Sequence, residues 1–276
     1  MEVAMSPTMR KTRDYRHFAE KIVVKAGKFL LETRKTTKIC EFKDIVDFVT
    51  NKDLEIEEEI IHQIEAHFPE HTIISEERGE VKKNSGYRWI IDPLDGTKEY
   101  QRGLSNFSIC MLLEYEEKPV ISVIYVPSTR ELFSSENGKG AFQRNIRLHV
   151  SDTSTLEKSF ILFHTPSQKC DDGTKMRHWS IAQSVGLVAY KTFVRLNDNM
   201  ILCDLAKGGY DGYVHVAAEV TPWWDVAPGL AVAREAGAMI TDVHGRPLTP
   251  ETYHTGIVVS NGHIHQQLLD TIHGTS

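Results

Sequence analysis

The chain has little of what commits a protein to a membrane, a polynucleotide or an oxidising compartment. No run approaches the roughly 18 consecutive apolar residues of a membrane-spanning helix. The first residues carry no apolar core of the signal-peptide kind. Acidic residues outnumber basic ones, 38 to 32, for a net charge of −6, so charge offers no case for nucleic-acid binding. There are only four cysteines, Cys40, Cys110, Cys170 and Cys203, and their spacing suggests no pairing; free thiols in a reducing cytoplasm are the simplest account. The thirteen histidines include no His-Glu-x-x-His, and His263 and His265 fall on different sides of a helix. No Gly-x-Ser-x-Gly turn marks a serine hydrolase. Gly138 and Gly140 lack the strand–loop–helix setting of a phosphate loop. Repeats and low-complexity segments are also missing. A cytoplasmic protein with neither membrane nor polymer partner is expected.

What is present fits an ordinary globular chain. It has 276 residues, 41% hydrophobic and 25% charged, enough for one large or two small domains with a substantial core. The basic cluster Arg10, Lys11, Arg13 and Arg16 reads as a solvated face. Helical spacing predicts a helix over Tyr15–Thr33, through Phe18, Ile22, Val23, Ala26, Phe29 and Leu30. A second is predicted over Asp53–Phe68, through Leu54, Ile56, Ile60, Ile61 and Ile64. Strands over Ser105–Glu114, Pro119–Val126, Glu131–Ser135 and Gly140–Gln143, joined by turn sequences, predict an antiparallel meander. After about Val150, strands near 160–163, 191–194, 212–216 and 256–260 alternate with helices near 175–185, 200–207, 225–236 and 263–271. The fold class expected is therefore α+β with an α/β C-terminal half, divided as residues 1–150 and 151–276.

The chemistry concentrates in acidic residues at strand ends. An apolar run, Tyr87–Ile91, ends in Asp92-Pro93-Leu94-Asp95-Gly96-Thr97. Pro93 fixes φ and Gly96 permits an unusual backbone angle, so this turn can aim two carboxylates and a carbonyl at one point. Hard divalent cations take such oxygen ligands. The N–H groups of Gly96 and Thr97 would then open a short helix facing a phosphate. Asp-Pro and Asp-Gly are also common surface turns. Two further acidic sites weaken that alternative: Glu76-Glu77 behind the apolar Thr72-Ile73-Ile74, and Trp224-Asp225 at the head of a helical segment. Asp225 is an N-cap, a ligand, or both.

Taken together, Asp53, Glu76-Glu77, Asp92 to Thr97 and Trp224-Asp225-Val226-Ala227 resemble the inositol monophosphatase superfamily of lithium-sensitive, magnesium-dependent phosphatases. Asp47-Phe48-Val49-Thr50-Asn51-Lys52-Asp53 and Gly208-Gly209-Tyr210-Asp211-Gly212 match further family segments, and the resemblance runs from about Phe18 to Leu269. It implies a layered α/β/α/β/α sandwich of the sugar-phosphatase type, with the metal site where the halves meet, and commonly a homodimer. It implies Glu76, Asp92 and the Leu94 carbonyl on a first Mg²⁺, Asp92, Asp95 and Asp225 on a second, and Asp53 and Glu76 near a third. Thr97, with Glu76 or Asp53, would orient the attacking water, and the Gly96 and Thr97 N–H groups would grip the phosphate. The physics agrees: phosphate-ester hydrolysis needs positioning and charge stabilisation, and an all-oxygen ligand set favours Mg²⁺ over Zn²⁺.

Substrate is less legible. Lys98-Glu99-Tyr100 after Asp-Gly-Thr resembles the 3′(2′),5′-bisphosphate nucleotidases, and Lys98 also occurs in histidinol-phosphate phosphatases. Where inositol phosphatases place a substrate-binding Glu, this chain has His215, with Glu219 nearby. The ring-lining Gly-(Thr/Ser)-Ala becomes Leu196-Asn197-Asp198, where a carboxylate suits hydroxyls or an amine, or else caps the helix before Met200. Pro228 replaces an Ala near a first helical turn and is tolerated there. Asp95, Gly96, Thr97, Asp198, His215 and Asp225 are thus the expected substrate contacts. An inositol or sugar monophosphate is the leading substrate, ahead of 3′-phosphoadenosine 5′-phosphate and histidinol phosphate. A non-catalytic metal-binding member is the reading from another class.

Overall fold

The computed structural model describes residues 7–45, 47–195, 197–216 and 221–274, without the side chains of 7–11 and 13. Leu196, Glu219 and the side chains of Arg10, Lys11 and Arg13 lie outside the described residues. The chain divides into two compact units, residues 1–146 and 147–276.

In the first unit two long helices cover one face of a sheet. Helix α1 is Pro7–Thr33 and α2 is Asn51–His67. A hairpin of β1 (Ile39–Phe42) and β2 (Phe48–Thr50) lies between them in sequence. Then come β3 (Thr72–Ser75), β4 (Gly79–Val81), β5 (Tyr87–Asp95), the short helix α3 (Thr97–Gln101), β6 (Ser108–Tyr115), β7 (Lys118–Val126), β8 (Glu131–Glu136), β9 (Gly140–Gln143) and β10 (Ile146–Arg147). The sheet order is β10-β9-β8-β7-β6-β5-β3-β4. From β5 to β9 each strand pairs antiparallel with the next, as the turn sequences predict; β3 alone runs parallel to β5. One residue of every second strand position points at the helices: Trp89 and Ile91, Ile109, Met111 and Leu113, Ile121 and Val123 pack with Ala19, Val23, Leu30, Ile56, Ile60 and Ile64. Leu54, counted with the buried face in the sequence, is exposed. It sits two residues before Ile56, about 200° round the helix and so on its outer side.

The second unit is one mixed sheet with helices on both faces. Its elements are β11 (Phe160–His164), α4 (Asp172–Val188), β12 (Lys191–Arg195), α5 (Asp198–Ala206), β13 (Gly212–His215), α6 (Ala227–Glu235), β14 (Met239–Thr241), β15 (Ile257–Ser260) and α7 (His265–His273). The strand order is β12-β11-β13-β15-β14, with β11 parallel to both neighbours. Alternate strand residues divide into two cores. Ile161, Phe163, Val214 and Val258 meet Ile181 and Val185 of α4 and Leu268 and Ile272 of α7. Leu162, Tyr213, Ile257 and Val259 meet Ile201, Leu202 and Leu205 of α5 and Leu230 and Ala233 of α6.

Two details explain sequence motifs. In Gly-Gly-x-Asp-Gly, Asp211 accepts from Ser151 Oγ (2.5 Å) and from the Phe160 amide (2.7 Å), which anchors the start of β11 beside β13. Helices α5 and α6 approach so closely at Gly229 that a Cβ there would lie 2.8 Å from Leu202 Cδ1 and 3.1 Å from Asn199 Cα. Gly229→Ala is therefore expected to destabilise the fold by about 1–3 kcal/mol through overpacking, read as a shift in urea midpoint without a change in slope.

His178 on α4 is fully buried between Phe163 and Trp179, and neither ring nitrogen has a hydrogen-bond partner. Burial, aided by the charge of His164, pushes its pKa from 6.5 down to about 4. The unfolded chain then binds the extra proton first, so stability is full above about pH 6.5 and falls as pH drops towards 4. Denaturant titrations over that range should show this loss, and His178→Leu should flatten it; an unchanged slope in the variant would assign the loss to other groups.

Candidate active site

The acidic motif sits where β5 breaks from its ladder. Against β6, Asp92 pairs with Cys110 and Asp95 with Ser108, so three steps on one strand face two on the other. That is a bulge, and Pro93, which cannot donate to a ladder, lies inside it. Asp92 is buried, and its Oδ1 accepts the Leu94 amide at 3.1 Å, which closes a local turn through the proline. Asp95 accepts from Ser108 Oγ at 3.1 Å. Gly96 then takes φ +89°, a left-handed angle that a side chain would resist, and α3 starts at Thr97.

Asp53 connects this turn to α2. It is fully buried at the third position of the helix, where it accepts the Thr50 amide at 2.9 Å, completing a capping box, and also bonds the Thr50 hydroxyl. Its other oxygen accepts the Thr97 hydroxyl at 2.8 Å, and Thr97 Oγ1 is also 3.0 Å from the Leu94 carbonyl. Glu76 and Glu77 turn out of β3. Their turn is held by Glu57 of α2, whose Oε1 accepts the amides of Glu77 (2.9 Å) and Arg78 (3.2 Å).

The electrostatics are those of crowded carboxylates. Burial raises the pKa of Asp53 against its hydrogen bonds from Thr50 and Thr97. Burial also raises Glu76, opposed by Lys43 and reinforced by the charges of Asp53 and Asp47. Burial and its acidic neighbours lift Glu77 to about 7 despite Lys43. Lys43 Nζ lies 3.1 Å from Glu76 and 2.6 Å from Glu77. Burial alone would lower its pKa, but the two glutamates outweigh it and push the value up. Lys98 pairs with Asp47 at 3.3 Å. Carboxylates that outnumber the ammonium groups of Lys43 and Lys98 suit hard divalent cations, and the donor set fits Mg²⁺.

The structure thus brings Asp53, Leu94 and Thr97 into direct contact and sets Glu76 within Coulombic range of Asp53. Asp92 and Asp95 stand at the two ends of the bulge. These side chains are not drawn within 4.8 Å of one another as a metal-binding group; among the described residues only His164, Asp198 and His215 are.

In the second unit Asp225 ends a 3₁₀ turn, Trp223–Asp225, and Val226, without a side-chain bond, precedes α6. The N-cap alternative for Asp225 therefore falls. Asn199 bridges this turn to α6, donating to the Trp224 carbonyl (3.3 Å) and accepting the Gly229 amide (2.8 Å). Asp198 is not the cap of α5 either. Asn197, at φ +72°, accepts the Met200 amide instead. Asp198 is buried and bonds His164 Nδ1 (2.7 Å) and Tyr213 Oη (2.6 Å), with His215 Nδ1 at 3.6 Å. Burial would raise its pKa, yet the two imidazoles and these bonds hold it at about 2. Sequence reasoning missed His164 and Tyr213. The only signal was that both histidines end strands, and that becomes informative once β11 and β13 are known to be neighbours.

The inositol monophosphatase family model matches residues 11–275. The chain belongs to the inositol monophosphatase family. Within it, a Vibrio cholerae protein called Nus factor SuhB is 36% identical over 202 residues, 72% of this chain and 73% of the relative. An Aquifex aeolicus protein, named fructose-1,6-bisphosphatase/inositol-1-monophosphatase, is 30% identical over 95% of this chain and 96% of its own. Among solved structures, extragenic suppressor protein suhB from Bartonella henselae superposes with a TM-score of 0.85 at 27% identity, covering 93% of this chain and 97% of the other. These are relatives of a phosphatase family with an α+β fold and metal-dependent chemistry. No helix among the described residues is long and apolar enough to cross a membrane.

Glu57 has no place in the family motif as read from the sequence, yet it holds the Glu76-Glu77 turn. Glu57→Ala should leave two amides short of a partner and cost about 1–3 kcal/mol. Thermal melts should show the loss, whereas an unchanged melting point would mean that solvent replaces the carboxylate.

Proposed function

We propose that this protein is a Mg²⁺-dependent phosphomonoesterase acting on a small phosphorylated metabolite, best an inositol or related sugar phosphate. One observation carries the reading: the hydroxyl of Thr97 donates to a buried, high-pKa Asp53 beside the acidic cluster of Glu76. A binding-only protein need not keep a water-activating Thr97. Two or three Mg²⁺, held by Glu76, Asp92, the Leu94 carbonyl, Asp95 and, on the family motif, Asp225, would supply activation of water and neutralisation of leaving-group charge. Lithium would compete for one of these places. Thr97 donates its proton to Asp53, so its lone pairs can accept from an attacking water. Through Thr97, whose hydroxyl donates to Asp53, the water proton would pass to Asp53 or Glu76. The Gly96 and Thr97 amides at the left-handed turn would hold the phosphate oxygens.

Asp198 and His215 are proposed to shape substrate choice. Because Asp198 is engaged by His164 and Tyr213, it would act through the partly exposed His164 rather than as a free carboxylate. The Aquifex relative, aligned over nearly the whole chain, carries a name for sugar bisphosphate and inositol phosphate chemistry, which supports the leading substrate class. Bisphosphate nucleotides and histidinol phosphate are the alternatives. The name of the Vibrio relative supports a second, binding role, which the intact Thr97–Asp53 pair does not exclude. A homodimer is proposed as well. The edge strand β12 and the exposed Met176 and Leu187 of α4 (73% and 81%) are the kind of surface a second copy covers.

Asp95→Asn should cut Mg²⁺-dependent phosphate release by a hundredfold or more, since lost metal-site partners alone cost about 10–100-fold. The assay would use inositol 1-phosphate, fructose 1,6-bisphosphate, 3′-phosphoadenosine 5′-phosphate and histidinol phosphate. Near-normal turnover in the variant would sink the carboxylate site, and no turnover of any ester by the parent protein would favour the binding role.

A further inference from the structure

We propose that Asn199 is a positioning residue for the carboxylate of Asp225: it caps α6 from a neighbouring helix and so keeps Asp225 for a divalent cation. The inference rests on the phosphatase reading, in which Asp225 is a metal ligand, and it lies wholly within the second unit.

Helix α6 has no cap of its own. Val226 precedes it at φ −125° and makes no side-chain bond to it. The amides of Asp225 and Val226 are used in the 3₁₀ turn, where they reach the carbonyls of Pro222 and Trp223 at 3.2 Å each. The Leu230 amide bonds the Val226 carbonyl at 2.9 Å, and Pro228 has no N–H to satisfy. The Gly229 amide is the third of the helix, the one that an N-cap side chain ordinarily takes. It goes instead to Oδ1 of Asn199, on α5, at 2.8 Å. Asn199 Nδ2 donates to the Trp224 carbonyl at 3.3 Å, in the peptide group that joins Trp224 to Asp225. One fully buried carboxamide thus holds the helix that follows Asp225 and the peptide that precedes it.

The residue type suits the task. A carbonyl on one side and an amide on the other need a donor and an acceptor on separate atoms, which asparagine supplies. Aspartate could not donate to the carbonyl, and the single oxygen of serine sits one atom nearer the backbone. A short side chain is enough because the two helices nearly touch: a Cβ on Gly229 would stand 3.1 Å from Asn199 Cα. The consequence falls on Asp225. An unsatisfied amide at a helix start attracts a carboxylate, and Asp225 is the acidic residue beside this one. By accepting the Gly229 amide, Asn199 removes that competitor for the Asp225 charge. The charge is felt on the α5 side: burial, then Asp198, then Asp225 hold Tyr213 well above its usual pKa. Tyr213 bonds Asp198, the residue before Asn199, so the first turn of α5 serves both groups.

The test sets divalent-ion binding against stability in the full chain. Mn²⁺, followed by electron paramagnetic resonance, is the probe for the Mg²⁺ site, and melting temperature reports the fold. Asn199→Ala should bind one Mn²⁺ about tenfold more weakly or worse. The Mg²⁺ needed for half-maximal phosphate release should rise in step, with kcat at saturating Mg²⁺ changed far less. Asn199→Ser, polar but too short to span both groups, should lose the same ion and replaces the alanine variant if that one does not fold. Leu205→Ala removes core packing six residues further along α5; it should lower the melting temperature and keep the parent affinity. Asp225→Asn should lose the same ion as the Asn199 variants. The inference fails alone if folded Asn199 variants bind Mn²⁺ as the parent does while Asp225→Asn binds it more weakly. It fails also if Leu205→Ala weakens Mn²⁺ as much as they do, since the loss would then be one of general stability. If Asp225→Asn itself binds like the parent, Asp225 is no ligand, and the inference falls together with that part of the metal-site reading.

Discussion

The carboxylate of Asp53 is the joint on which the acidic site depends. It closes the capping box at the start of α2 and, with its other oxygen, receives Thr97 at the far side of the β5 bulge. Helix start and strand end are thereby held by one buried group. The same helix supplies Glu57, which holds the Glu76-Glu77 turn from below. Two chain segments far apart in sequence, the Glu76-Glu77 turn and the end of the β5 bulge, are in this way fixed to α2, and α2 is fixed by a row of isoleucines against the sheet.

That arrangement is costly by itself. Burial raises Asp53, Glu76 and Glu77, and Lys43 is the ammonium that offsets two of them. A fold optimised for stability alone would not gather carboxylates under a bulged strand, because each buried charge loses hydration and repels its neighbours. Local strain points the same way: the left-handed Gly96 and the proline inside a strand are both departures from a regular ladder. The proposed phosphoryl-transfer site would use such departures directly, because it works by positioning and charge.

The second unit solves a different problem with a similar economy. Its sheet buries both faces, so polar side chains survive there only when they are satisfied by one another. Asp211 and Asp198 show two outcomes. Asp211 ties loop to strand through Ser151 and the Phe160 amide and is structural. Asp198 gathers His164, Tyr213 and His215 at the ends of two parallel strands and is satisfied by them.

Much of this was legible from residue order. The helical spacing from Phe18 to Leu30 and the alternation with turn sequences from Ser108 to Gln143 gave the elements and the antiparallel meander, because such periodicities record which side of an element is buried. Asp92 to Thr97 marked the acidic turn, since Pro and Gly constrain the backbone locally. Other features needed the tertiary structure. The caps moved from Asp198 to Asn197 and away from Asp225, because a cap depends on which amide a side chain reaches. Leu54 turned outward because α2 rotates to serve Ile56 and Ile60. Glu57 and His164 had no motif at all; their roles come from contacts 20 and 34 residues away. The sequence by itself determined the elements, the family and the acidic motif, which follow from local backbone limits and periodic burial. Only the tertiary structure decided which buried polar groups share a partner, because that depends on strand neighbours and helix rotation that no short stretch of chain encodes.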